Sequence, residues 1–408
     1  MVINSLLDND LYKINMLQFI VDQKYDKLIV GWQFFPRGNH KFPVGFTKAL
    51  KEEIEFWKSL RLTESELDFL YSRLKNWINY DFIYGYLKSY TLNTGLIQIT
   101  SNVVTESNGE QYEEITLSYE GEWAKVILFE VPLLAAMNEI YNKLTFNPEQ
   151  ILTFSEIRER NNEVFSEMKK EGIKVIEMGT RRRYSAEVQE LAIKQMIDFE
   201  VIQGTSNLYY ASEFNLPVRG TQAHEIYSGL ATIYGVESAN YMVISKWAET
   251  FNGSLGIALT DTFTTKSFYQ HSFSRFYAKL FDGVREDSAV NPFEYVDDTI
   301  KKYQELGIDP KTKQIIHSNG ISSVKQMKDL LNYKSDEIGR SLGVGTFLTN
   351  NVSREGIGKD LNNWVIKLTY AIVNGQKRYA VKISDTPGKV TSIDNKTVEC
   401  YKYLLGIE

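Results

Sequence analysis

From Pro132 to about residue 350 the chain keeps one rhythm: a short apolar run, an end in Gly, Thr, Ser or Asp, and in most cases a helical pattern after it. Seven such ends occur, at Val175–Gly179, Glu200–Gly204, Leu216–Gly220, Gly256–Thr260, Gly283–Arg285, Gln314–His317 and Leu342–Gly345. Strands that alternate with helices imply a parallel sheet, and this many repeats predict an α/β fold built on an incomplete (β/α) barrel. Chemistry in such folds gathers at the carboxyl ends of the strands. All seven ends carry polar or Gly-rich sequence.

The flanks have a different grammar. Asp8-Asn9-Asp10 is placed to cap a helix over Leu11–Val21, and Leu28–Phe35 reads as a strand broken by Pro36-Arg37-Gly38-Asn39. Phe46–Leu60 has helical spacing, and Thr63 with Glu66 forms a capping-box signature for the next helix. Ile97–Ile99, Glu114–Tyr119 and Trp123–Leu128 read as strands, and Leu133–Leu144 as a buried helix. Near the other end, Trp364–Val373 and Arg378–Ser384 are strand runs on either side of Asn374-Gly375, the strongest short hairpin signal. A hairpin does not extend a βα barrel, so it is expected to join the N-terminal region. The predicted organisation is a mixed α/β domain over residues 1–128, a barrel-like domain over 129–350, and a C-terminal segment over 351–408 that packs on the first. Residues 350–363, poor in apolar side chains, form the expected crossing.

Composition narrows the function. A net charge of −6 over 408 residues argues against a general nucleic-acid binder, so a basic cluster should serve a local anion. The single cysteine, Cys400, excludes an intramolecular disulfide and a Cys-based zinc site. The start, Met1 to Asp8, lacks the basic segment and long apolar run of a signal peptide, and no stretch is long enough to span a bilayer. A cytoplasmic location is the expectation.

The strand ends carry a constellation. Gly179-Thr180-Arg181-Arg182-Arg183 sets three guanidinium groups before a helix, where Arg forks and backbone N–H groups can hold anionic oxygens. Taken alone it reads more readily as a solvated basic face on a helix N-terminus, and the recurrence of such motifs downstream tips the balance toward an anion site. Gly204-Thr205-Ser206-Asn207 and Gly220-Thr221-Gln222-Ala223-His224-Glu225 follow, the second placing a histidine among hydrogen-bonding groups. Asp261 ends another strand where a magnesium ion or a sugar hydroxyl could meet it. Arg285-Glu286-Asp287-Ser288 pairs a guanidinium with two carboxylates, which an internal salt bridge would also explain. Ser318-Asn319-Gly320 and Gly343-Val344-Gly345-Thr346 are small-residue turns able to present N–H groups to a phosphate. Together they describe a site for a phosphorylated sugar with a divalent metal.

In order and approximate spacing these motifs resemble nicotinate phosphoribosyltransferases. The matching stretches also include Leu6–Lys13, Phe129–Leu134, Gly256–Asp261 and Ser384–Lys389. The resemblance implies transfer of phosphoribosyl from phosphoribosyl pyrophosphate to the ring nitrogen of nicotinate, coupled to ATP hydrolysis through phosphorylation of His224. It further implies that Arg285 and Ser206 contact the nicotinate carboxylate and that Arg181 lies beside the pyridine. Tyr12 would be a stacking aromatic supplied by a neighbouring subunit, and Arg37 a phosphate contact across a head-to-tail homodimer. Gly343, Gly345 and Thr346 would take the 5-phosphate, with Thr180, Ser318, Asn319 and Gly320 also around phosphate and ribose. Asp261 and Asp287 would hold magnesium or ribose hydroxyls. The family's Arg-x-Asp-Ser-Gly-Asp-Pro is here Arg285-Glu286-Asp287-Ser288-Ala289-Val290-Asn291-Pro292, and Asn319 replaces a usual carboxylate. The alternatives are a nicotinamide or quinolinate phosphoribosyltransferase, or a non-catalytic nucleotide-binding relative. Ser206 favours the acid, since a carboxylate there would repel nicotinate.

Overall fold

The computed structural model describes residues 1–36, 40–146, 149–354, 364–386 and 388–407. Arg37 and most of the expected crossing, residues 355–363, lie outside them. The strands are β1 (Ile29–Phe35), β2 (Phe42–Pro43), β3 (Ile97–Thr105), β4 (Gln111–Glu122), β5 (Val175–Glu177), β6 (Ile202–Thr205), β7 (Ile257–Leu259), β8 (Gly283–Glu286), β9 (Gln314–His317), β10 (Gly339–Val344), β11 (Val365–Val373) and β12 (Gln376–Tyr379).

Six of them form a parallel sheet in the order β6-β5-β10-β9-β8-β7. The barrel is incomplete, as its sequence suggests, and opens between β6 and β7. The seventh expected strand, Leu216–Gly220, is not one. Pro217 lacks the N–H a ladder needs, and the segment makes only an isolated bridge from Val218 to Thr205. It spans the opening instead: the Thr205 N–H donates to Pro217 O (3.1 Å), and Thr221 Oγ1 donates to Ile257 O on β7 (3.1 Å).

The second sheet is antiparallel, ordered β12-β11-β1-β4-β2, with β3 also on β4. Its central strand β1 is flanked by β4 and by β11, with Ile29 opposite Ile372 and Phe35 opposite Val365. The C-terminal hairpin thus pairs with the N-terminal strand. Its turn residues Asn374 (φ 52°) and Gly375 (φ 76°) both take the left-handed conformation of a type I′ turn. Beyond β12 the chain crosses to the barrel, where the Ile383 N–H donates to Thr262 O (2.9 Å).

Two local expectations fail for physical reasons. Trp123–Leu128 is not a strand but two helical turns, Trp123–Val126 and Ile127–Phe129, which lead into the helix Glu130–Thr145. Both edges of β4 are already paired, and nearly every side chain of the run is buried, so its apolar density reflects the core. Trp123 lies so close to the helix His224–Tyr234 that a Cβ on Gly229 would stand 2.4 Å from its ring. At the N-terminus, Asp10 does occupy the cap position of the helix Leu11–Asp22, but its side chain makes no capping bond. The capping box of Thr63 and Glu66 forms as read. None of the described helices is long and apolar enough to cross a membrane.

Candidate active site

A cavity of about 410 Å³ lies where the carboxyl ends of the parallel strands face the antiparallel sheet. The turn after β5 supplies Arg181, that after β6 Ser206, that after β8 Asp287 and Ser288, and that after β9 Ser318, Asn319 and Gly320. Gly343, Gly345 and Thr346 come from the end of β10, and Arg285 from within β8. β1 and β11 provide the opposite wall, including Trp32 and Ile366. Close packing explains the glycines of β10: a Cβ on Gly343 would sit 2.6 Å from Met178 Sδ, and one on Gly345 3.0 Å from Met178 O.

Of the side chains singled out in the sequence, Tyr12, Arg181, Ser206, His224, Arg285, Asp287, Ser318 and Asn319 line this one cavity. Two do not. Asp261 lies one layer behind, 3.9 Å from His224. Thr180 is fully buried, its Oγ1 accepting from Gln189 (3.1 Å) and Asn207 (3.1 Å), so it supports the turn and offers no side-chain oxygen to a ligand. The Arg run also divides. Arg181 reaches the cavity, while Arg183 is buried and forks onto both carboxylate oxygens of Asp8 at 2.9 and 2.7 Å. Asp8 is therefore a counter-ion, not a helix cap.

His224 begins its helix with Nδ1 2.9 Å from Thr262 Oγ1 and Nε2 3.0 Å from Asp287 Oδ2. Burial, then the nearby Lys382 ammonium, lowers its pKa to about 4, so the imidazole is neutral at pH 7 and keeps a nucleophilic lone pair. Burial by itself would raise Asp287, but Arg285, His224 and Lys382 outweigh it and hold the carboxyl well below its ordinary range. Arg285 Nη1 donates to Gln222 O (3.0 Å), and Ser318 Oγ donates to Asp287 Oδ1 (2.8 Å). Ser206 Oγ is tied to Asp10 Oδ1 (2.9 Å).

Five buried polar atoms of cavity residues lack a hydrogen-bond partner among the described residues: Tyr12 Oη, Trp32 Nε1, Gln222 Nε2, Arg285 Nε and Trp364 Nε1. All five can donate. Buried donors are normally satisfied, so these mark strain in the walls, and Arg181, Arg182 and Arg285 bring the positive charge that suits an anion to the same cavity.

The profile of the nicotinate phosphoribosyltransferase (NAPRTase) family matches residues 173–406, and that of the family's N-terminal domain residues 7–138. A nicotinate phosphoribosyltransferase of Desulforapulum autotrophicum is 35% identical over 407 residues, covering 99% of each chain, and one of Chromohalobacter salexigens is 34% identical over 409 residues, covering 100% of this chain and 99% of that one. The chain belongs to the nicotinate phosphoribosyltransferase family. The solved nicotinate phosphoribosyltransferase of Porphyromonas gingivalis shares the fold with a TM-score of 0.88 at 28% identity, each chain covered in full. That of Vibrio cholerae gives 0.86 at 30% identity, over 100% of this chain and 95% of the other.

Tyr12, which the resemblance assigns to a neighbouring subunit's site, also lines the cavity of its own chain, its ring centroid 5.8 Å from Arg181 Cζ. The buried helix Leu11–Asp22 puts it there, anchored by the next residue, Lys13. Arg37, the other expected cross-subunit contact, lies outside the described residues.

The sequence reading assigned no role to Glu130 or Lys382. Glu130 lines the cavity, accepts from Arg181 (3.1 Å) and pairs with Lys13 (2.7 Å). Burial would raise its pKa, but Lys13 and then Arg181 bring it down to about 2. Lys382 Nζ lies 2.9 Å from His224 Nε2 and 3.8 Å from Asp261 Oδ2. Both residues stood within or beside stretches that carried the resemblance, which was the available signal.

The donor set suits the implied magnesium ion. Asp261 Oδ1 is buried with no hydrogen-bond partner among the described residues, and one ligand atom each of His224, Asp261 and Asp287 lies within 4.8 Å of the others. Carboxylate oxygens are the ligands such a hard cation takes.

Proposed function

We propose that this chain transfers phosphoribosyl from phosphoribosyl pyrophosphate to nicotinate, releasing nicotinate mononucleotide and pyrophosphate, with ATP hydrolysis coupled through His224. The observation that carries the reading is the cavity itself. It joins three guanidinium groups, those of Arg181, Arg182 and Arg285, to a neutral, buried imidazole. Nicotinate is a planar carboxylate on an aromatic ring. Arg285 is placed to hold the carboxylate, and Tyr12 and Arg181 to hold the ring. The pyridine lone pair forms the bond to ribose C1 as the C1–oxygen bond breaks and its electrons leave with pyrophosphate. Positive charge grows on the ribose, where Asp287 can face it, and negative charge grows on the leaving group, where Arg182 and Lys389 line the same cavity. A magnesium ion held by Asp261 and Asp287 would neutralise part of the pyrophosphate charge.

In the coupled half-reaction a ring-nitrogen lone pair of the neutral His224 attacks the γ-phosphorus of ATP, ADP leaves, and water later cleaves the phosphorus–nitrogen bond. The depressed histidine pKa supports this, because an imidazolium has no lone pair to offer. The added phosphate would meet Lys382 within 3 Å of the ring and could reorganise the loop that bears Asp287.

Product analysis after mixing the protein with nicotinate, phosphoribosyl pyrophosphate and ATP tests the proposal. Nicotinate mononucleotide is the expected product. Product from nicotinamide or quinolinate instead would move the substrate assignment, and thermal stabilisation by the ligands without turnover would make the chain a binding relative. His224→Ala should abolish stimulation by ATP and leave basal transfer measurable. ATP stimulation that survives it would refute the phosphohistidine.

A further inference from the structure

We propose that Lys382 is a built-in counter-ion for the His224–Asp261–Asp287 cluster, holding the position of a divalent cation and yielding it when that cation binds. The inference rests on the magnesium reading above and adds what the protein does before metal arrives. Asp261 is 1% exposed, and its Oδ2 accepts from Ser288 Oγ. Its only permanently cationic neighbour within 4 Å among the described residues is Lys382, at 3.8 Å. A carboxylate this deeply buried is costly without a partner. The same ammonium touches His224 Nε2 at 2.9 Å, the ring atom that also faces Asp287 at 3.0 Å. Lys382 therefore stands against the three groups whose ligand atoms gather within 4.8 Å. An ammonium and a divalent cation cannot both occupy so small a space, because their repulsion would offset what either gains from the carboxylates.

The backbone fixes which part can move. The Lys382 N–H donates to Thr391 O (3.0 Å), and the Thr391 N–H donates back to Lys382 O (2.9 Å). The next residue, Ile383, is bonded to Thr262 O (2.9 Å). Only the four-carbon side chain is free to turn, and its other direction is the cavity, where Lys389 and Thr391 also lie. Metal entering with a phosphate-bearing substrate would take the carboxylates, and the released ammonium would meet the phosphate. Lys382 is thus a positioning residue: it keeps two carboxylates and a neutral histidine assembled while the metal is absent.

The test uses the full chain, stripped of metal, with Mn²⁺ alone as the probe and free Mn²⁺ read by electron paramagnetic resonance. Lys382→Met is expected to bind Mn²⁺ at least about tenfold more tightly than the unaltered protein, and to gain more in melting temperature from it. Lys382→Arg, which keeps the charge, should bind Mn²⁺ as weakly as the unaltered protein. Lys382→Gln carries the same expectation as Lys382→Met and replaces it if the latter does not fold. Adding Asp261→Asn to either neutral variant should remove the gain. Equal Mn²⁺ affinity with and without the lysine would overturn the counter-ion and leave the metal reading standing. Absence of Mn²⁺ binding by every variant would overturn both, and a gain that survives Asp261→Asn would place the ion elsewhere and end the proposal.

Discussion

Replacing Lys13 by Met removes one buried charge and little volume, which makes it a clean perturbation of the site's foundation. Lys13 Nζ lies 2.7 Å from Glu130 Oε2 and 2.6 Å from Glu225 Oε2, with the lysine side chain fully buried and the glutamates at most 5% exposed. Trp123 Nε1 donates to the remaining oxygen of Glu225 (2.6 Å), and Arg181 to that of Glu130 (3.1 Å). At an effective dielectric of about 20, each carboxylate contact is worth about 6 kcal/mol in Coulomb terms, most of which desolvation offsets. Breaking such an arrangement by removing one partner costs about 3–5 kcal/mol. With unfolding entropy of about 2.1 cal/mol/K per residue over 408 residues, that corresponds to a fall in melting temperature of about 4–6 °C. Glu225 is the carboxylate to neutralise in compensation: burial pushes its pKa up against the pull of Lys13, whereas Glu130 is held at about 2 and keeps Arg181. Lys13→Met with Glu225→Gln should therefore recover roughly half of the loss by scanning calorimetry. A single variant that melts within about 1 °C of the unaltered protein, or a double variant that melts lower than the single, would refute the charge argument.

Glu177 gives a pH signature. It is fully buried at the end of β5, and burial raises its pKa from 4.5 to about 7 despite bonds from Thr205 Oγ1, the Gly179 N–H and Gln189 Nε2. The folded state thus binds this proton more tightly than the unfolded chain. Its contribution is full below pH 4.5 and is lost as pH rises through 7, by up to about 3 kcal/mol. Glu177→Gln should gain on the unaltered protein by that amount between pH 4.5 and 8 in parallel melting curves, and parallel profiles would show that the group does not titrate there. In the parallel sheet, a Cβ on Gly283 would fall 2.0 Å from Gln314 O, so Gly283→Ala must part β8 from β9 and cost about 3 kcal/mol or more. Gly85→Ala, where a Cβ meets nothing within 4 Å, is the control and should melt within about 1 °C of the unaltered protein.

Strand ends were legible because they need residues of a particular kind. Gly343 and Gly345 leave room for Met178, and the polar residues after β6, β8 and β9 face a cavity that a core would not tolerate. The hairpin was legible because Asn374 and Gly375 accept positive φ cheaply. Pairings between distant segments were not. Nothing local says that Arg183 answers Asp8 while Arg181 answers Glu130, since both partners lie far off in sequence and the three arginines are adjacent. The same holds for Asp10, whose cap-like position conceals a bond to Ser206, and for Lys382, one lysine in a strand-like run that the fold ends at Tyr379, leaving Lys382 an isolated bridge to Thr391. Trp123–Leu128 misled for the opposite reason. A run buried at every position but Lys125 has no alternation, so its apolar content is silent on strand or helix.

The central place of β1 in its sheet has a consequence for synthesis. Its partner β11 begins 330 residues after β1 ends, so a ribosome adding about 5–20 residues per second leaves one edge of Ile-Val-Gly-Trp-Gln-Phe-Phe unpaired for roughly 15–70 s. Throughout that interval the nascent chain presents an apolar ribbon of open N–H and C=O groups, the geometry on which strands of other molecules add. A message truncated ahead of the hairpin would yield a protein missing the β11 part of one cavity wall and carrying a permanent adhesive border.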